Sequence, residues 1–209
     1  MSAIIVLDTN VHKHRLIAAN ERAQQLNLLA EDAGWNDLPG EFIVRTSGTD
    51  RPTQATLFGG HTMLVWSRTA LNQTTVNWHL RHDYKPGSAV YPHIHFRPTG
   101  NLGGNVHWRF ILSATKGYGQ TSGIPAATTT IDLIFPIPAN SLGTHFVAEI
   151  PAPGWYTTEL EWDTVIHCTV QRCADLATDT HEATIAAWQA GLHYQVGRIA
   201  TPARLPPFI

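Results

Sequence analysis

Apolar and polar residues alternate one by one through much of this chain. In Thr74–His82, Val76, Trp78 and Leu80 fall on one side, and Asn77, His79 and Arg81 on the other. In Ala89–Arg97, Val90, Ile94 and Phe96 oppose Tyr91, His93, His95 and Arg97. In Asn105–Ala114, Val106, Trp108, Phe110 and Leu112 oppose His107, Arg109 and Ile111. Two later stretches repeat the pattern: Ile166, Cys168 and Val170 oppose His167, Thr169 and Gln171, while Leu192, Tyr194 and Val196 oppose His193 and Gln195. A period of two is that of a strand with one face in a core. It predicts strands over His61–Arg68, Thr74–His82, Ala89–Arg97, Asn105–Ala114, Thr128–Phe135, Thr144–Ile150, Thr164–Arg172 and Gly191–Arg198, with shorter ones in Glu41–Thr46 and Gln54–Phe58. Thr180–Gln189 fits either a strand or a short helix. Turn-forming linkers such as KPGS and RPTGNLGGN separate these runs. The expected fold class is all-β, a jelly-roll-like antiparallel β-sandwich.

The chain ends follow other rules. Leu16, Ala19, Ala23, Leu26, Ala30 and Ala33 recur at steps of three and four, with Gly34 in the position of a C-cap. This predicts a helix over Arg15–Ala33, either packed on its own domain or reaching as an arm to a neighbour. Pro206 and Pro207 bar a regular helix in the tail TPARLPPFI. The expected organisation is an N-terminal arm (1–34), one β-sandwich domain (35–198) and an extended tail (199–209).

Composition narrows the function classes. The formal net charge is −2, so no basic field points to nucleic acid or to an anionic membrane. No apolar run is long enough to span a bilayer, and the first residues lack the pattern of a signal peptide. Charged residues make up only 14% of the chain, against ~25% on average. That suits either a large all-β core or a subunit within an assembly. Cys168 and Cys173 lie an odd number of residues apart; if both lie on one extended strand they point to opposite faces, which predicts reduced thiols.

The histidines carry the candidate chemistry. Parity places His79, Arg81, His93, His95, Arg97, His107 and Arg109 outside the sandwich, together if their strands are neighbours in one sheet. One reading is the metal centre of a cupin-like metal-dependent enzyme using His93, His95 and His107. Gly87, five residues, then His93-x-His95 fits the front half of the cupin motif, and His107 supplies a third imidazole. Against it, Thr99 stands where the cupin carboxylate belongs, and cupin ligands point inward. A second reading is a plain solvated sheet face, although such faces usually carry Lys, Glu and Thr. The third is a subunit contact, because neutral imidazole is cheaper to dehydrate than lysine. The preferred assignment is therefore an oligomer interface, with no catalytic residue, cofactor or metal ligand. No GxSxG, HExxH or CxxC motif occurs.

Three stretches carry a family resemblance: WNDLPG, HDYKPGSAVYPHIHFRPTGNLGGNVHWRF and GLHYQVGRI. They resemble small structural proteins of tailed bacteriophages. His82–Ser88, His93–Pro98, Val106 and Trp108, and His193–Val196 match that pattern; Gly197 stands where the family often has Asp. The resemblance covers roughly Trp35 to Arg198, loosely over Thr115–Glu161. It implies a non-enzymatic virion component: a head decoration, head fibre, collar or tail-fibre adaptor protein. Its partners would be copies of itself, as a homotrimer, and other virion proteins. It would be assembled in the bacterial host cytoplasm.

Overall fold

The computed structural model describes residues 34–44, 48–117, 119–121 and 127–197. The expected helix over Arg15–Ala33 and the tail lie outside them. Ten strands run in chain order: β1 (Trp35–Gly40), β2 (Thr53–Leu57), β3 (His61–Trp66), β4 (Leu71–His79), β5 (Val90–Pro98), β6 (Gly104–Thr115), β7 (Thr129–Ile137), β8 (Phe146–Glu149), β9 (Val165–Cys173) and β10 (Ile185–Gln195). They form two antiparallel sheets. The first has the order β2-β3-β10-β5-β8, with β1 also paired to β10; the second has the order β4-β9-β6-β7. The eight strands from β3 to β10 interleave as β3-β10-β5-β8 over β4-β9-β6-β7, which is a jelly roll.

The core is where the alternating pattern places it. Val76, Trp78, Leu80, Ile94, Phe96, Val106, Trp108, Phe110, Ile166, Val170, Leu192 and Tyr194 are all buried between the sheets. Trp66 and Trp108 meet edge to face at 5.2 Å, and Phe96 packs on Trp108 at 5.4 Å. Cys168 and Cys173 are both buried and unbridged, and burial pushes the Cys173 thiol up to about 11.

Three segments differ from expectation. Trp35–Gly40 is a strand, although Pro39 and Gly40 make it look like a loop; it docks on β10 in register from Trp35↔Gln195 to Gly40↔Ala190. Of the strand expected over Glu41–Thr46, the described residues 41–44 show only a bridge from Ile43 to Thr75. β10 begins at Ile185 rather than Gly191, with a bulge between Ala187 and Gln189. The bulge shifts the side-chain parity, which is why no single alternation runs through the segment.

Candidate metal centre and histidine face

The expected outer-face residues divide between the two sheets. His93, His95 and Arg97 lie on β5 in the first sheet. His79 lies on β4, and His107 and Arg109 on β6, all in the second; Arg81 is exposed just after β4. The expectation of one shared patch therefore needs correction. The chain crosses between the sheets after β4 and back again after β5, and β9 lies between β4 and β6, so β4, β5 and β6 do not lie side by side. For the same reason His107 does not converge with His93 and His95. Nor are His79 and His107 close. His79 pairs with Val165 and Val165 with Thr115, which leaves His107 about 26 Å further along β6.

The two outer faces differ in how their polar groups are satisfied. On the second sheet each histidine has a partner. His79 Nε2 contacts Asp163, His167 Nδ1 meets Asn77 Oδ1 at 3.0 Å, and Gln171 donates to Gln73 at 2.8 Å. His107 is buried, with Nδ1 2.6 Å from Thr178 Oγ1 and Nε2 2.9 Å from Asp132 Oδ1. Arg109 donates to both oxygens of the same Asp132, at 2.7 and 3.3 Å, and holds that carboxyl below its usual range.

On the first sheet, buried His93 Nε2, His95 Nε2 and Arg97 Nε have no hydrogen-bond partner among the described residues. The cross-strand register explains the crowding. Asp37 pairs with His193, and His193 with Tyr91; Gly191 pairs with His93, and His93 with Glu149. Gly191 leaves open the space beside its own strand, and the His93 ring fills it. A Cβ there would lie 2.2 Å from His93 Nε2 and 2.9 Å from Asp37 Oδ1. The His93 ring stacks on His193 at 4.3 Å and 27°, and Nε2 comes within 3.6 Å of Asp37 Oδ1. Glu149 contacts His193 Nδ1 and lies 3.9 Å from His93 Nδ1.

Asp37, His93 and His193 each offer one donor atom, and the three atoms lie within 4.8 Å of one another. Burial, followed by the neighbouring His193, pulls the His93 imidazole down to about 4. It is therefore neutral at pH 7, with a lone pair available. Beside this cluster a hollow of roughly 350 Å³ is lined by Trp35, Tyr91, Glu149 and His193. Along the sheet, His95 Nδ1 sits 3.0 Å from His145 Nε2, and Trp188 packs at 4.8 Å from His145. Arg97 lies over the rings of Phe58 and Trp188.

Sequence reasoning found His93 but gave it the wrong neighbours. His193 had been placed on an outer face, but its strand was not known to adjoin that of His93. Asp37 carried no signal beyond its place in the WNDLPG stretch, because nothing marked that stretch as a strand. Arg172 was also missed. It is fully buried, donates from Nε and NH2 to Asp179 at 2.9 Å each, and reaches the carbonyls of Ala183 and His181. An arginine at core parity with an aspartate seven residues on was the available clue.

Three of the segments that carry the family resemblance, around Asn36, Asp83–Lys85 and Tyr194–Gly197, meet at one end of the first sheet, while Val106 and Trp108 lie on β6 in the second. Lys85 N donates to Gln195 O and Gly197 N to Asp83 O, both at 2.8 Å. Tyr194 donates through its hydroxyl to Asp83 Oδ1 and accepts from Asn36 Nδ2, both at 2.9 Å. Val196 N donates to Gly34 O. Burial and the adjacent Asp83 carboxylate push the Tyr194 phenol up to about 12.

No protein-family model matches the chain, and no curated protein does. Several solved structures align with it. A family 30 carbohydrate-binding module of a Clostridium thermocellum cellulosomal cellulase covers 75% of this chain and 92% of its own, at 9% identity and TM-score 0.37. A family 11 carbohydrate-binding module from the same organism covers 79% and 90%, at 13% identity and TM-score 0.33. A protein of unknown function from Shewanella oneidensis MR-1 covers 88% and 97%, at 12% identity and TM-score 0.29. At these identities and scores none of them assigns a function to this chain.

Proposed function

We propose that this chain is a non-enzymatic structural subunit of a tailed-bacteriophage particle, located in the virion, which self-associates through its β-sandwich. The observation that carries the reading is the convergence of WNDLPG, HDYKPGS and GLHYQVG. These three stretches are far apart in sequence, yet they are knitted together by Asn36, Asp83, Lys85, Tyr194 and Gly197. A resemblance confined to unrelated loops would mean little. One that falls on a single hydrogen-bonded unit is what a shared architecture would produce.

Within this reading the outer face of the first sheet is the contact surface, rather than all seven residues taken together. His93, His95 and Arg97 stand there beside Trp188, half-exposed Phe58 and exposed Trp35 and Val147. Aromatic and arginine side chains are enriched at protein interfaces, and this is the face with unpaired polar atoms left for a neighbour to satisfy. A closed homotrimer is the expected assembly, meeting other virion proteins of the head, collar or tail.

The test is mass spectrometry of purified particles from the host that encodes the chain, together with light scattering of the purified protein. Its presence at fixed copy number in particles, and a mass of three chains in solution, support the reading. A monomer at micromolar concentration that is absent from particles overturns it.

A further inference from the structure

We propose that Asp37, His93 and His193 form a binding site for one divalent transition-metal ion of the zinc class on the outer face of the first sheet, with Glu149 orienting His193. The inference does not rest on the virion reading; it stands on four features of the cluster.

The first is an unpartnered donor. The His93 side chain is 1% exposed, and its Nε2 has no hydrogen-bond partner among the described residues. A bound ion is one of the groups that can satisfy such an atom, and here a carboxylate and a second imidazole stand beside it. The second is donor chemistry. Two imidazoles and a carboxylate suit zinc, iron, nickel or copper, and not calcium or magnesium, which take oxygen ligands. The third is spacing. Ligands about 2.0–2.1 Å from a tetrahedral zinc lie roughly 3.3 Å from one another. His93 Nε2 and Asp37 Oδ1 are 3.6 Å apart, and all three donor atoms fall within 4.8 Å. Asp37 and His193 are partly exposed, so small side-chain rotations close the remaining gap.

The fourth feature is the surroundings of the ligands. Metal-binding histidines donate their second ring nitrogen to a carboxylate or a backbone carbonyl, which fixes the tautomer and aims the other nitrogen at the metal. Both imidazoles are arranged this way. His93 Nδ1 faces the Tyr91 carbonyl at 3.4 Å, and His193 Nδ1 contacts Glu149. Each therefore keeps Nε2 for the ion. Gly191 completes the site, since any side chain there would occupy the space of the His93 ring.

The ligands come from three neighbouring strands: β1, β5 and β10. A bound ion would thus clip β1, the strand following the first 34 residues, to the centre of the sheet. Three protein ligands leave at least one coordination position for water on the solvent side.

The experiment uses the full chain, stripped with a chelator and titrated with Zn²⁺ by calorimetry and with Co²⁺ by visible absorption. One equivalent of each should bind per chain, with d–d bands of a nitrogen/oxygen site for cobalt and a rise in thermal midpoint with zinc. Asp37→Asn and His193→Gln change partly exposed residues and leave the core intact. Each should weaken binding by at least about tenfold, and Glu149→Gln by ~10–100-fold, the range for an outer partner of a ligating histidine. His79→Ala, on the opposite sheet, should bind as the wild type does. The proposal is overturned if uptake is well below one equivalent. It is equally overturned if the Asp37→Asn/His193→Gln double variant, folded by circular dichroism, binds as tightly as the wild type. In that case the metal is held elsewhere.

Discussion

Trp108 and Arg172 project from neighbouring strands, β6 and β9, into the same interior and are held there by different physics. Trp108 is fully buried against Trp66 and Phe96. Trp108→Ala should cost roughly 3–5 kcal/mol, read as a lower urea midpoint at unchanged slope. Arg172 is a fully buried charge, compensated by Asp179 and by backbone carbonyls. Arg172→Met strands the Asp179 carboxylate, which is itself almost wholly buried, and should destabilise by ~3–5 kcal/mol. The double variant Arg172→Met/Asp179→Leu should recover part of that loss; a double variant less stable than Arg172→Met would refute the charge argument. His181 lies beside this pair, and burial, then Arg172, lowers its pKa below the ordinary 6.5, with Asp179 acting the other way. The unfolded chain therefore takes up a proton below pH ~6.5 that the folded chain refuses. Stability should fall as pH drops through that value, and the loss should level off below the folded pKa. Urea midpoints at pH 7.5 and pH 5 should differ less in His181→Gln than in the wild type.

At the scale of elements, β1 depends on small residues. It runs antiparallel to β10, and the chain then crosses toward the second sheet, where Ile43 bridges Thr75. Gly40 permits that crossing. A Cβ there would lie 2.4 Å from Val76 Cγ2 and 2.5 Å from the Trp78 indole nitrogen, both in the core. Gly40→Val should cost about 1–3 kcal/mol as overpacking, and should raise amide exchange selectively in Trp35–Gly40 and its partners on β10. Uniform exchange throughout the sandwich would show that β1 is not a separately docked element.

For the whole molecule, the contrast between the two outer faces makes a directional prediction. The second sheet satisfies its own polar groups through Asn77, Gln73, Asp132 and Asp163, whereas the first carries unpaired nitrogens among partly exposed aromatic rings. If copies assemble through the first sheet, Arg97→Glu should lower the oligomer mass seen by light scattering. Arg109→Glu, which breaks only an intramolecular pair with Asp132, should leave that mass unchanged. Equal effects from the two, or none from either, would detach assembly from this face.

The sequence by itself determined the alternation of side chains. That was enough to identify most of the strands, the twelve named core residues and the outward direction of His79, His93, His95, His107 and His193. A period of two reports which way a side chain points from its own strand, and it says nothing about which strand lies beside it. Tertiary structure alone decided that β4 and β6 sit in one sheet and β5 in the other, because the chain crosses to the opposite layer after β4 and returns after β5. It also decided that β1 and β10 bring Asp37 and His193 to His93, across 156 residues of chain, through backbone pairing that leaves no periodic trace in the side chains. The N-terminal helix expected over Arg15–Ala33 lies outside the described residues, so the local pattern there stands on sequence alone.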